Sequence, residues 1–212
     1  MAAMALTRDD VAERFDNDVA KHQIQILRDE GLYRHVRFRQ PDTYCMGFDL
    51  ITWPGYLCYT GDMGTFVFSR IADMFEFFRQ PDSSEPRINP GYWSEKVQAQ
   101  DRGGITEFSE EKFKARVKER FEEWVEEEGI DDLGSLWNAI EREVFGLLDS
   151  YGAEGKNQAY QAIMSVEHNG RYPFQDFWEV SADVYTYQFL WCCHALVWGI
   201  RRYDEERPEI GG

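Results

Sequence analysis

The sequence of 212 residues is poor in cysteine, and its cysteines show no regular spacing. It has four, Cys45, Cys58, Cys192 and Cys193, and they include no Cys-x-x-Cys pair. A disulfide framework or a zinc site needs ligands at recurring intervals, so neither is predicted. We expect four reduced thiols that pack as small apolar groups, with no metal site and no cofactor.

Long apolar segments are also lacking. The longest apolar run extends from Phe189 to Ile200 and is interrupted by His194. A helix of that length rises about 18 Å, which is less than the ~30 Å hydrocarbon core of a bilayer. The first residues, Met1 to Leu6, lack the basic region of a signal peptide. The sequence therefore predicts a cytoplasmic protein without a membrane partner.

Basic side chains are scarce relative to acidic ones. The chain has 23 Lys and Arg against 39 Asp and Glu, a net charge of −16. Direct nucleic-acid binding is not expected, because phosphate backbones are bound by Lys and Arg. Residues 81–212 hold 14 basic and 27 acidic side chains, whereas residues 1–80 have a net charge of only −3. The acidic excess thus belongs to the second half.

Familiar catalytic motifs are absent as well. The sequence contains no Gly-x-Ser-x-Gly, phosphate-binding loop, Gly-x-Gly-x-x-Gly or His-Glu-x-x-His motif, so no catalytic residue is assigned. Asp49 and Asp62 could work as a general acid and base, which leaves a hydrolase as one hypothesis. However, Asp62 lies in Gly61-Asp62-Met63-Gly64, and aspartate beside glycine is common in turns. A binding protein is the stronger expectation.

Aromatic residues, by contrast, make up 16% of the chain, which indicates a packed core. Alternating apolar positions predict an antiparallel meander of about five strands. Pro54-Gly55 predicts a type II turn that places Phe48, Leu50, Thr52, Leu57 and Tyr59 on one core face. The predicted strands are Ile24–Arg28, Leu32–Arg39, Tyr44–Trp53, Tyr56–Thr60 and Thr65–Phe68.

Helical spacing accounts for most of the remaining chain. The predicted helices are Arg8–Ala20, Arg70–Phe78 after a Ser69 cap, Glu110–Glu128 after a Ser109 cap, Leu133–Ser150 after an Asp132 cap, Lys156–Val166 and Ser181–Tyr203. The order of elements predicts an α+β fold, in which an N-terminal meander with flanking helices precedes a C-terminal helical bundle packed on it. We expect a single compact unit over residues 1–212: a sheet-containing part (1–80), an irregular connector (81–108) and a helical part (109–212).

One stretch concentrates acidic side chains at the end of a predicted helix. On that helix the charges would recur about every 2.4 Å, against about 1.7 Å for duplex DNA. Carboxylates at a helix C-terminus also oppose the macrodipole, and a broken local rule often marks function. The run could therefore dock on a basic cleft, or it could simply solvate an exposed face while its last two aspartates cap the next helix. It comprises Glu122, Glu123, Glu126, Glu127, Glu128, Asp131 and Asp132.

The first predicted hairpin carries a basic cluster. Arginine binds phosphate and carboxylate groups through two hydrogen bonds, and neighbouring aromatic rings can stack on bases. The cluster could bind a phosphorylated ligand or nucleotide, or its members could pair with acids elsewhere in the chain. The candidate ligand-binding residues are Arg34, His35, Arg37 and Arg39, with Arg28 beside them.

Two stretches resemble a known family. They are FDLITWPGYLCYTGDMGTFVFSR with the following DMFEFF, from Phe48 to Phe78, and INPGYW, from Ile88 to Trp93. They resemble a family of uncharacterised bacteriophage and prophage proteins, with the likeness strongest over residues 7–95. The resemblance implies an interaction protein, comparable to the anti-CRISPR proteins that occupy a nucleic-acid site. The expected partner is a host protein with a basic surface, such as a nuclease or defence complex.

Overall fold

The computed structural model describes residues 8–81, 87–129 and 134–207. Helices and antiparallel strands confirm the α+β class. The chain forms two compact units, one from Met1–Thr106 with Tyr185–Gly212 and one from Glu107–Val184. We call them the sheet unit and the helical unit. The expectation of one compact unit over the whole chain stays a prediction.

The sheet unit is built on a six-stranded antiparallel sheet in which the strands follow one another in sequence order. The predicted meander is confirmed, but a sixth strand was missed. That strand is short and polar, and only its first residue is partly buried, so it shows no alternation. The strands are β1 Gln23–Glu30, β2 Tyr33–Arg39, β3 Phe48–Trp53, β4 Tyr56–Gly61, β5 Gly64–Ser69 and β6 Val97–Gln100.

The hairpin between β3 and β4 follows the predicted register. Trp53 pairs with Tyr56 and Ile51 with Cys58 around Gly55, which has the positive φ (85°) that the turn requires. All five positions predicted for the core face are buried. The alternation of side chains along the strands therefore fixes which face of the sheet meets the helices.

Within the described residues, four helices belong to the sheet unit: α1 Arg8–Val19, α2 Met74–Phe78, α3 Pro90–Ser94 and α8 Tyr187–Glu206. Helix α8 contributes most of the cover on the core face, where the Trp191 ring lies 5.6 Å from that of Phe48. Gly199 brings this helix close to the sheet, because a Cβ there would lie only 3.0 Å from Leu50 Cδ1 and 3.2 Å from Phe38 Cε2.

Two helix starts differ from the prediction. Helix α2 begins at Met74 rather than Arg70, since the Asp73 carboxylate, and not Ser69, accepts the Phe75 N–H that caps it. Helix α8 begins at Tyr187 rather than Ser181, because residues 183–185 form a strand before it. That strand, β8 Asp183–Tyr185, pairs with β7 Thr106–Phe108.

The helical unit has its own apolar core. Helix α4, Glu110–Glu128, is capped by Ser109 and ends at left-handed Gly129, as predicted, with Phe113, Val117, Phe121 and Trp124 buried. The predicted helix after it is interrupted by a π-helical turn, and its predicted cap, Asp132, lies outside the described residues. The remaining elements are α5 Gly134–Ile140, the π turn Glu141–Phe145, α6 Gly146–Tyr151, a 3-10 turn Gly152–Gly155, α7 Lys156–Met164 and a 3-10 turn Phe177–Glu179.

Three coarser expectations need correction. The segment 81–108 is not an irregular connector, because it contains α3, β6 and β7. The predicted helical part 109–212 is divided, since α8 joins the core of the sheet unit. Cys192 and Cys193 are buried as expected, but Cys58 is half-buried and Cys45 is exposed.

Among the described helices, none is both long and apolar enough to cross a bilayer.

Candidate functional site

The predicted acidic run begins on the outward side of α4. Because the buried residues of this helix recur at helical spacing on one stripe, Glu122, Glu123, Glu126 and Glu127 project away from the core. The side chains of Glu122, Glu123 and Glu127 are 62%, 56% and 64% exposed, and Glu126 is exposed as well. We call these four residues the α4 acidic face.

The α4 acidic face has basic neighbours, although the run itself, from Glu122 to Asp132, contains no basic residue. Lys118 Nζ lies 3.7 Å from Glu122 Oε1, and Arg120 Nη1 lies 3.6 Å from Glu123 Oε2 and 3.9 Å from Glu127 Oε2. These are long contacts between exposed groups, so each contributes no more than about 1 kcal/mol. Within the described ranges, Glu126 forms no ion pair.

Of the other three members of the predicted run, the structure describes only Glu128. Glu128 is half-buried and forms an ion pair with Arg171, so it is withdrawn from the set of candidate docking residues. Asp131 and Asp132 lie outside the described residues. The predicted DNA-like charge spacing assumed seven uncompensated carboxylates, and the described part of the run has four on one face with two cations beside them.

The helical unit is nevertheless acidic as a whole. Residues 107–184 contain 19 acidic and eight basic side chains, a net charge of −11 out of the −16 of the chain. Along α4 the basic residues precede the acidic face, so the carboxylates gather at the C-terminal end of the helix. There they oppose the macrodipole, and no basic residue occupies the last turn.

A groove of about 280 Å³ adds an apolar feature to the same unit. It lies beside the π turn, a distortion that often accompanies function, and its lining includes Leu136, Ile140 and Val144. Exposed Glu143 and Glu167 also line it. The groove therefore combines apolar and acidic side chains.

Known proteins offer no match that would identify this chain. No family model, curated protein or solved structure matches this chain. The resemblance to phage proteins therefore stays a prediction.

Arg34 is unavailable to a ligand, although the sequence placed it in the candidate set. It points to the core face of the sheet, and its two Nη atoms donate to the Asp73 carboxylate at 2.8 Å each. Its guanidinium also lies 4.9 Å from the centre of the Phe75 ring. Arg34 thus ties β2 to the start of α2, which is a structural role.

His35 and Arg37 lie on the opposite face of the sheet and share one carboxylate. Arg37 Nε and Nη2 donate to Asp49 at 2.9 and 2.8 Å, and His35 Nε2 lies 2.6 Å from Asp49 Oδ2. Burial alone would raise the pKa of Asp49, but these hydrogen bonds and charges outweigh it and hold the pKa below its ordinary value. A carboxylate that is ionised and already hydrogen-bonded to two side chains is a poor general acid or base at neutral pH.

Asp62 also has a local structural partner. Its Oδ2 accepts the Met46 N–H at 2.6 Å, which secures the loop between β2 and β3. The proposed catalytic use of Asp49 and Asp62 therefore gains no support from their surroundings, since each carboxylate already stabilises the sheet or its loops. The remaining residue of the candidate set, Arg39, packs on Tyr44 and has no acidic partner among the described residues.

Asp49 gives a prediction about acid stability. Because its folded pKa is depressed, its contribution is fully present above the ordinary carboxyl pKa and is lost as pH falls through the lower folded value. We expect Asp49→Asn to lower the free energy of unfolding by about 1–3 kcal/mol at neutral pH and by less in acid. Urea unfolding of both proteins between about pH 6 and pH 2.5 measures the difference. A difference that stays constant over this range would contradict the assignment.

Proposed function

We propose that this protein acts by binding, and that its helical unit docks on a basic surface of a second protein. The observation that carries the proposal is the concentration of charge: a net −11 in residues 107–184, with four exposed glutamates on one face of α4. Opposite potentials steer two proteins together and favour one orientation of contact. No catalytic residue enters this function.

The α4 acidic face suits such a role because its own ion pairs are weak. Contacts of 3.6–3.9 Å in water can be exchanged for contacts with a partner at little cost. Glu126 and Glu127 also lie in the last turn of α4, where carboxylates are least favourable for folding. Side chains that oppose local stability without forming strong contacts are typical of surfaces kept for function.

The partner that fits this surface is a host protein with a basic nucleic-acid site, such as a nuclease or defence complex. The resemblance to phage and prophage proteins motivates this choice, and the acidic helical unit would compete with nucleic acid for that site. The protein would then act in the host cytoplasm as an inhibitor comparable to anti-CRISPR proteins.

A charge-reversal variant tests the proposal. Glu122, Glu123, Glu126 and Glu127 are all replaced by lysine, and the full chain is used to capture proteins from host lysate at low salt. Because the new lysines favour the helix C-terminus, the variant is expected to remain folded. We expect the protein captured by the wild-type chain, once identified and purified, to bind the variant at least tenfold more weakly.

A matched control carries the same change of net charge elsewhere. Asp9, Glu13, Asp16 and Glu95 are exposed acids of the sheet unit, and their replacement by lysine should leave binding of the purified partner within about twofold. If both variants lost binding equally, the loss would come from the change in net charge and not from the α4 acidic face. Unchanged binding in the α4 variant would remove the docking role of that face.

A further inference from the structure

A cleft of about 450 Å³ opens at one end of the sheet, in the unit that the proposed docking function does not use. It lies where β2 ends, β3 begins and β4 ends, and its volume falls within the range of small-molecule sites. Its polar lining consists of Arg37, Arg39, Tyr44, Asp49, Thr60 and Asp62, and the buried Phe38 and Phe48 line it as well.

The loop between β2 and β3 holds an aromatic ring at this cleft. Tyr44 is 78% exposed, a larger fraction than for any other exposed large hydrophobic side chain among the described residues. The loop around it is constrained, since Asp42 and Met46 both have positive φ, at 62° and 56°, and the Asp62 carboxylate fixes the Met46 N–H. Non-glycine residues in this conformation are uncommon and cluster at ligand sites.

The charges in the cleft are not equivalent. Asp49 is satisfied by Arg37 and His35, so this group of three is already paired. The Arg39 guanidinium lies 5.3 Å from the centre of the Tyr44 ring and, within the described part of the chain, forms no ion pair. Asp62 has one oxygen on Met46 and a second that accepts no hydrogen bond among the described residues. The cleft therefore presents one cation, one ring and one acceptor.

We infer that this cleft binds a nucleoside monophosphate whose base carries an exocyclic amino group. The Tyr44 ring provides a stacking surface for the base, and Arg39 provides donors for the phosphate. The free oxygen of Asp62 accepts a hydrogen bond from the amino group, whereas a carbonyl oxygen in its place, as in inosine monophosphate, cannot donate one. The free nucleotide is favoured over a polynucleotide because the net charge of −16 repels a long phosphate backbone.

Isothermal titration of the full-length protein tests this site with adenosine monophosphate as the probe. Inosine monophosphate lacks the amino group, adenosine lacks the phosphate, and a short oligoadenylate supplies the same chemistry in a polymer. We expect adenosine monophosphate to bind at least tenfold more tightly than each of the other three. No binding at millimolar concentration, or equal binding of adenosine, would overturn the assignment, and tighter binding of the oligoadenylate would overturn the choice of a free nucleotide.

Three variants assign the contacts. Arg39→Gln should weaken the binding of adenosine monophosphate about tenfold and leave the binding of adenosine unchanged. Tyr44→Ala should weaken the binding of both ligands. Asp62→Asn keeps an oxygen that can accept the Met46 N–H, and it should abolish the preference for adenosine monophosphate over inosine monophosphate. Arg14→Gln, an exposed arginine on α1, is the matched control and should bind as the wild-type protein does. Wild-type binding by both Arg39→Gln and Tyr44→Ala would disprove the site even if the docking function holds.

Discussion

Arg34→Ala is expected to lower the free energy of unfolding by about 3 kcal/mol, among the largest effects of any single substitution outside the apolar core. Removing one partner of a buried ion pair leaves the other charge uncompensated, which costs about 3–5 kcal/mol. The lower end of this range of free energies applies here, because 22% of the Asp73 side chain remains exposed to water. The change also removes the packing of the guanidinium on Phe75.

Arg39→Ala is the matched control on the same strand. Its side chain faces away from the core and has no acidic partner within the described residues, so its loss should change stability by less than about 0.5 kcal/mol. Urea unfolding followed by tryptophan fluorescence compares the two variants under identical conditions. Similar losses for both arginines would mean that Arg34 does not stabilise the junction of β2 and α2.

Leu50→Ala should destabilise the sheet unit by about 2–5 kcal/mol. Leu50 is fully buried at the centre of β3, and it lies against the point where Gly199 lets α8 approach the sheet. The substitution opens a cavity between helix and sheet that the surrounding aromatic rings cannot fill without moving. The free energy of unfolding in urea again measures the effect.

A second substitution at Gly199 tests the reason for that cost. A Cβ added at Gly199 would lie 3.0 Å from Leu50 Cδ1, so Gly199→Ala should crowd the interface. In the Leu50→Ala background that contact is gone, and Gly199→Ala should be better tolerated by about 0.5–2 kcal/mol. Strictly additive effects of the two substitutions would show that the helix and the sheet are not in close contact at this point.

Much of the sheet could be predicted from the sequence because its signals are local. Pro54-Gly55 sets a turn, and alternation on either side determines register and core face. Strand β6 escaped prediction since it is polar and is held by pairing with β5, which is a distant contact. The assignment of α8 to the sheet unit was missed for the same reason: its apolar surface shows that it is buried, but not against which element.

The candidate site residues show the same difference between local signals, which the sequence reveals, and distant contacts, which it does not. Arg34 alternates in phase with buried Val36 and Phe38, so its inward direction could have been read from the sequence, but its partner Asp73 could not. Spacings of three and four residues on α4 likewise predict the contacts of Lys118 and Arg120 with the glutamates. Arg171 reaches Glu128 only through the fold of the helical unit, and no local pattern indicates that pair.

The features that define the nucleotide cleft were equally hidden. The sequence gives the arginines of β2, but not which of them is left without an acid. Tyr44 carried no signal at all, because its exposure depends on the two left-handed residues of its loop. Paired and unpaired cations become distinct only when strands β2, β3 and β4 are assembled side by side.

The most direct test of the docking function is the rate of association with the purified partner as ionic strength rises. Long-range attraction between opposite charges is screened over about 10 Å at 0.1 M salt, so the rate depends on salt only if charge guides the encounter. We expect wild-type association to slow at least tenfold between low and high salt, and the α4 lysine variant to associate slowly at all salt concentrations. A wild-type rate that does not change with salt would contradict docking through the acidic helical unit.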